Sequence, residues 1–233
     1  MTIAIKQSNR LIYTTAIFLS ILCSIIATFN TVPNNDGLYY ITSAQAFVDS
    51  GLKQGLFYYH WPLYSLLIAL ISSCFKVSIL TSAYILNTFL QLTIVLSFLT
   101  LFKTLNPSNR QLWLALITII SFPQFNEYRH YILRDYGFWA FSLLALTNLI
   151  KFYNLEHFIG LKQSVGKYLF FYYFCFLVSF LFRQEAIILF LTLPFSLFFL
   201  DYPSSQKKIK LKAIFYPLIY LTLIGSIILF LSK

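Results

Sequence analysis

The sequence predicts an all-α protein, a polytopic bundle of about seven transmembrane helices with two interfacial amphipathic helices in its first outer loop. Hydrophobic residues make up 59% of the 233 residues and charged residues only 10%, which leaves too little polar surface for a water-facing globule. Apolar runs long enough to cross a bilayer recur along the chain, and Lys and Arg are distributed unequally between the loops that join them. We therefore expect residues 1–233 to form a single membrane domain.

The first apolar run, residues 11–29, follows Lys6 and Arg10 and so resembles the start of a signal peptide. No small-residue cleavage site precedes Thr31, so we expect the run to be retained as the first spanning helix, leading from the cytoplasm outwards. The other predicted spans are residues 79–102, 111–125, 136–152, 168–182, 186–200 and 213–231.

Residues 62–75 are the ambiguous apolar segment, because a helix of that length reaches only about 21 Å. If this segment stays on the outer surface, eleven of the seventeen Lys and Arg residues fall on the cytoplasmic side and five outside, with Lys233 ending the chain. If it spans, every later loop inverts and the usual excess of positive charge in the cytoplasm is lost. The charge pattern therefore favours an interfacial helix over 62–75, and orientation explains the net charge of +10 without a nucleic-acid partner.

With this topology most acidic residues collect on the periplasmic or lumenal side. Each of them can simply end a helix in water, or together with nearby basic residues they can build a polar site. The outer acids are Asp36, Asp49, Glu127, Asp135 and Glu185, and the outer basic and imidazole groups include His60, Arg129, His130, Arg134 and Arg183.

Asp36 begins the other predicted interfacial helix, residues 36–50, in which apolar residues recur at helical spacing. An Asp at this point is a favoured N-cap. A carboxylate at a positive helix terminus also stays ionised and can act as a general base towards a hydroxyl group. Spacing does not separate the two roles.

His60 precedes Pro62, which suits the first turn of the 62–75 helix. An imidazole there can bind a metal or a phosphate, although an exposed histidine more often binds neither. Arg134 and Asp135 are compatible with an ordinary surface ion pair, and Arg183 with a side chain that snorkels from the end of a helix.

The ordered segments DGLYYITSAQAF, HWPLYSLLIAL, LRDYGFWAFSLLAL and RQEA resemble the GT-C membrane glycosyltransferases of the protein-mannosyltransferase and aminoarabinose-transferase type, over roughly residues 1–200. The resemblance implies an inverting sugar transfer from a polyprenyl-phosphate donor at the outer face of a bacterial inner membrane.

The resemblance also implies roles for single residues. Asp36 matches the catalytic aspartate, and Arg183, Arg134 and His60 match groups that bind the donor phosphate. His60, Asp135 and Glu127 are the residues implied as ligands if the enzyme uses a divalent metal, the one cofactor expected.

Two departures from the family pattern leave alternatives open. Gly37 stands where many relatives carry a second acidic residue. Family members usually continue beyond a seventh helix, so we expect a split enzyme with a partner membrane subunit, a truncated product or an inactive relative as alternatives to a complete enzyme. A non-enzymatic subunit and a transporter of lipid-linked saccharides are the competing classes. A transporter would carry ionisable residues nearer the middle of the membrane.

Overall fold

The computed structural model describes residues 2–29, 31–158 and 165–188, together with Thr222, Gly225 and Ser226. Contacts divide the chain into two compact units, Met1–Ala140 and Phe141–Lys233, and the single membrane domain stays a prediction. The regular structure of the described residues is entirely helical, which confirms the all-α prediction. Its elements are α1 (Thr2–Thr28), α2 (Asn35–Ser50), α3 (Leu52–Tyr58), α4 (Leu63–Phe75), α5 (Ile79–Lys103), α6 (Asn109–Ser121), α7 (Pro123–Glu127), the 3-10 turn Tyr128–His130, α8 (Asp135–Phe158) and α9 (Val165–Phe182).

Two helices of the described part of the chain are long and apolar enough to cross a membrane. They are Asn9–Thr28 within α1, of 20 residues and mean hydropathy 2.1, and Ile79–Lys103, of 25 residues and mean hydropathy 1.9. At a rise of about 1.5 Å per residue, both reach the roughly 30 Å of a hydrocarbon core. They coincide with the predicted spans 11–29 and 79–102. The predicted span 186–200 extends beyond the described residues and 213–231 lies almost wholly outside them, so the count of seven stays a prediction.

Helices α1 and α5 run antiparallel. As residue numbers rise along α1, those of its partners fall along α5, so the segment between the two helices leaves and returns at one end of the pair. This is the arrangement that a non-spanning α4 requires. The hydrogen bonds that establish it join Tyr13 to Thr100 at 3.5 Å, Ser24 to Gln91 at 2.8 Å and Thr31 to Tyr84 at 3.3 Å.

The segment between α1 and α5 contains both predicted helices, as α2 and α4, and a third one, α3, that the sequence reading did not anticipate. Gly51 separates α2 from α3 with a φ of 83°, a conformation that favours glycine. Helix α2 packs on α3 and α4, and α4 packs on α5. The N-cap of α2 is Asn34 and Asp36 lies inside the first turn, so the capping alternative for Asp36 was wrong and its role as a base stays a prediction.

The predicted helix 111–125 is interrupted. Helix α6 ends at Ser121, Phe122 is extended, and the short helix α7 begins at Pro123. Proline has no backbone N–H to continue the hydrogen bonds of the helix, and it disfavours the helical conformation in the residue before it. With 13 residues, α6 reaches only about 20 Å, so this span was predicted too long.

The second unit contains most of α8 and all of α9, which include the predicted spans 136–152 and 168–182. Inside it, the Ser142 and Ser179 hydroxyl groups are 2.9 Å apart. Its core is apolar and aromatic, with Ala145, Phe152, Leu169, Tyr172, Tyr173, Cys175 and Phe176 buried.

Candidate functional site

Residues 128–132, here named the strap, connect α7 to the start of α8 and are not α-helical. Irregular backbone is stable beside membrane-spanning helices only when protein groups satisfy its hydrogen bonds. Side chains from three other segments do so here. Tyr136 Oη donates to the carbonyl of Tyr128, Gln91 Nε2 donates to that of Arg129 at 2.8 Å, Asn87 Nδ2 donates to that of Tyr131 at 2.6 Å, and the Ile132 N–H donates to Asn34 Oδ1 at 2.8 Å.

Arg129 anchors the strap in the space between α1 and α5. It is only 1% exposed. Its Nε donates to Asn126 Oδ1 at 2.7 Å, and its Nη1 donates to Ser24 Oγ at 3.0 Å and to the Ser20 carbonyl at 3.3 Å. The guanidinium also lies 4.5 Å from the centroid of the Phe125 ring. Burial lowers the pKa of Arg129, but arginine stays protonated in proteins.

The sequence reading placed Arg129 among the outer charges and missed its buried position. Gln91, which binds its carbonyl, is the middle residue of α5. A signal for this contact was present in the sequence. Ser20 and Ser24 are four residues apart in α1, as are Asn87 and Gln91 in α5, and such pairs put polar groups on one face of an otherwise apolar helix.

Three tyrosines, here named the tyrosine cluster, pack together: Tyr40 of α2, Tyr59, and Tyr64 of α4. The Tyr40 ring meets the other two edge-on, with centroids 5.1 Å from Tyr59 and 5.0 Å from Tyr64. Tyr64 Oη donates to Asn87 Oδ1, and Asn87 in turn binds the strap. The tyrosine cluster and the strap are therefore joined through one amide side chain.

Predicted site residues gather around the tyrosine cluster. The Arg134 guanidinium lies 5.6 Å from the centroid of the Tyr59 ring. Burial raises the pKa of the Tyr40 hydroxyl well above its usual value. Tyr59 and, more weakly, Asp36 raise this pKa further, whereas Arg134 lowers it. Burial also raises the pKa of Tyr64, with Tyr40, Tyr136 and Asp135 contributing in the same direction. Asp36 and Arg134, from segments far apart in the sequence, thus both act on Tyr40, and Asp135 acts on Tyr64.

Asp36 is exposed in the first turn of α2. The next residue, Gly37, is buried. A Cβ atom there would lie 2.7 Å from Asn34 Oδ1 and 2.9 Å from the Ile132 Cβ. An acidic residue beside Asp36, as in many of the GT-C enzymes, therefore does not fit this packing.

His60 and Glu127 are exposed, whereas Asp135 is half-buried. No group of three or more His, Cys, Asp or Glu side chains placed to hold a metal ion occurs among the residues that the structure describes. His60, Asp135 and Glu127 do not form such a group, so no step of a reaction is assigned to a metal here. Metal dependence stays a prediction.

Arg183 belongs to the second unit, where it forms a two-pronged ion pair with Glu185. Its Nη2 lies 2.7 Å from Oε1, and its Nε lies 3.1 Å from Oε2. Both side chains are partly exposed, at 33% and 46%. The pair lies just beyond the end of α9. This position is compatible with charged groups that end a helix in water.

Comparison of the chain with protein-family models, with curated proteins and with solved structures gave no match. The resemblance to GT-C glycosyltransferases therefore rests on the ordered motifs of the sequence, and its functional content is a proposal.

Proposed function

We propose that the chain is a polytopic membrane glycosyltransferase of the GT-C type, which moves a sugar from a polyprenyl-phosphate carrier to an acceptor hydroxyl group at the outer face of a bacterial inner membrane. The observation that carries the proposal is the position of Arg134 against Tyr59 of the tyrosine cluster, since Tyr59 packs on Tyr40, which belongs to the same helix as Asp36. In this proposal the exposed Asp36 carboxylate supplies a base for the acceptor, and the Arg134 guanidinium supplies a positive charge for the departing phosphate.

In the proposed reaction the Asp36 carboxylate accepts the proton of the acceptor hydroxyl while that oxygen attacks the anomeric carbon. The bond between the anomeric carbon and the phosphate oxygen breaks, and the configuration inverts. The polyprenyl phosphate leaves with the bonding electron pair. Arg134, which lies beside Tyr59 of the tyrosine cluster, stabilises the negative charge of the leaving phosphate.

His60 of the first unit is the other proposed phosphate contact, and the resemblance implies a separate phosphate-binding role for Arg183 of the second unit. An exposed ion pair such as that of Arg183 with Glu185 contributes about 0–1 kcal/mol, so a phosphate can displace Glu185 at little cost. Arginine binds phosphate through the same two-pronged geometry that it uses with a carboxylate. His60 is exposed between α3 and α4 and can reach a headgroup in the interfacial layer.

The orientation of the chain is part of the proposal. The unequal division of Lys and Arg favours a cytoplasmic N-terminus, seven spans and an outer position for the loop between α1 and α5. The antiparallel α1 and α5 support a loop that starts and ends at one face. Membrane lipids are the surroundings in this proposal, and a partner membrane subunit is required if the acceptor site lies on a separate chain.

Asp36→Asn tests the proposed base. Because the N-cap is Asn34, the substitution changes only the charge in the first helical turn, which contributes about 0.3–1 kcal/mol. We expect transfer to fall by roughly two to four orders of magnitude while binding of the lipid donor is retained. The measurement uses purified protein, a labelled polyprenyl-phosphate sugar and an acceptor-bearing membrane fraction.

Asp49→Asn is the matched control, since Asp49 is an exposed acid at the other end of the same helix, bonded to Gln45 at 2.8 Å. It should leave transfer unchanged. A parental rate in Asp36→Asn would exclude Asp36 as the base. Absence of transfer in both the parent and the variant, even with a co-expressed membrane partner, would favour an inactive relative or a non-enzymatic subunit.

A transporter of lipid-linked saccharides is the second candidate, because Arg129 lies beside the middle of α5 and transporters place ionisable groups at that depth. The burial of Arg129 argues for a fixed scaffold, because a transported headgroup needs access to the groups that bind it. Proteoliposomes with labelled lipid-linked sugar separate the two functions. Movement of intact donor across the bilayer without cleavage would establish transport.

A further inference from the structure

Two amide side chains on one face of α5 hold the strap. Asn87 is 1% exposed and Gln91 is fully buried. Each binds in two directions: Asn87 accepts from Tyr64 and donates to the Tyr131 carbonyl, and Gln91 accepts from Ser24 and donates to the Arg129 carbonyl. A neutral amide is suited to this position because it offers a donor and an acceptor without a buried charge.

The strap in turn connects the two sides of the proposed site. It ends two residues before Arg134. Its last N–H, that of Ile132, donates to Asn34 Oδ1, and Asn34 precedes Asp36 by two residues. A displacement of the strap therefore changes the position of Arg134 relative to Asp36.

We infer that Asn87 and Gln91 are positioning residues, which keep the strap in one conformation and thereby fix the position of Arg134 relative to Asp36. The inference deepens the proposed function and rests on it for the identity of the site. Neither amide contacts the proposed reacting groups. Their effect on catalysis passes through the strap carbonyls that they bind.

Asn87→Leu and Gln91→Met test the inference, because each replaces the amide with an apolar side chain of similar length and removes the hydrogen bonds. Ser97→Ala is the control on the same helix: Ser97 is 2% exposed, and its Oγ makes no hydrogen bond within the described residues. Hydrogen exchange measured by mass spectrometry on peptides covering 128–134 should become about five- to tenfold faster in the two variants, as expected for the loss of the one hydrogen bond that each amide makes to the strap. Ser97→Ala should leave it unchanged.

Two further readouts report on the site itself. Phenylglyoxal should modify Arg134 several times faster in both variants than in the parent. This readout does not depend on transferase activity. The kcat for transfer should fall about tenfold or more, with the donor KM changed much less, because binding groups stay present while their alignment is lost. If a variant does not fold, Tyr64→Phe removes only the hydroxyl that orients Asn87 and should produce a smaller change of the same kind.

The outcomes are distinct. Unchanged exchange over 128–134 in folded variants would overturn the anchoring role. Faster exchange with unchanged Arg134 reactivity and unchanged kcat would overturn the positioning role. If the parent chain transfers no sugar, the proposed function fails. The hydrogen exchange of the strap and the phenylglyoxal reactivity of Arg134 then still decide whether the two amides position Arg134.

Discussion

Gly37→Ala is a sharp test of the packing between α2 and the strap. The added Cβ would lie 2.7 Å from Asn34 Oδ1 and 2.9 Å from the Ile132 Cβ. Neither neighbour can move freely: the Asn34 oxygen accepts the Ile132 N–H at 2.8 Å, and Ile132 is fully buried. The substitution therefore has to displace the strap or break this hydrogen bond.

Opposing effects decide the size of the change. Ala in place of Gly in a helix contributes about 1 kcal/mol of stability. Overpacking costs about 1–3 kcal/mol, and loss of the Asn34 hydrogen bond costs about 0.5–1.5 kcal/mol. We expect a net loss of about 1–3 kcal/mol in the free energy of unfolding. At about 2–4 °C per kcal/mol for a chain of this size, Tm should fall by roughly 2–12 °C.

The assay is thermal unfolding of the detergent-purified protein, with Gly166→Ala as the matched control. Gly166 is also helical, but a Cβ there meets no atom within 4 Å, so that variant should be as stable as the parent or slightly more stable. Combining Gly37→Ala with Asn34→Ala should cost less than the sum of the two, because both disturb the same contact. Equal Tm values for Gly37→Ala and Gly166→Ala would refute the close approach of α2 to the strap.

Two further predictions concern topology and pH. A reporter fused after Ser108 should report the cytoplasm and one inserted at Gly51 the outside; an external signal at Ser108 would contradict the proposed orientation. Because the pKa of Tyr40 is raised in the folded chain above its usual value of 10, its contribution to stability is present below pH 10 and is lost as the pH rises further. Above pH 10, Tyr40→Phe should reduce the loss of stability by about 1.4 kcal/mol per pH unit. The measurement is Tm between pH 8 and 11 in the parent and the variant. The same dependence of Tm on pH in both proteins would exclude Tyr40 as the cause of the alkaline loss.

Several elements could be predicted from the sequence because their signals are local. Helices α1 and α5 follow from long apolar runs, and α2 and α4 from helical spacing with Pro62 at the entry to α4. The break before α7 was also readable, since Pro123 lies inside the run that was assigned to one span. The error there came from weighing hydropathy above the conformational restriction that proline imposes.

The candidate site was only partly predictable. Asp36, Arg134 and Asp135 are predicted as charged residues at helix ends, and only the fold shows that Arg134 lies against Tyr59 of the tyrosine cluster. The resemblance implies His60, Asp135 and Glu127 as metal ligands, but a resemblance between sequence segments contains no information on the distances that a metal site needs. Asn87 and Gln91 were not selected, because an amide in an apolar helix gives no sign of its partner.

The sequence by itself determined that this chain is helical and apolar, where α1 and α5 lie, and on which side the charges favour the loops, because hydropathy, helical periodicity and charge are properties of neighbouring residues. Only the tertiary structure decided that Asn34 binds the strap, that Arg129 is buried between α1 and α5, and that Gly37 admits no side chain. Each of these facts depends on atoms of residues that lie far apart in the chain, and their distances are set by packing rather than by local preference.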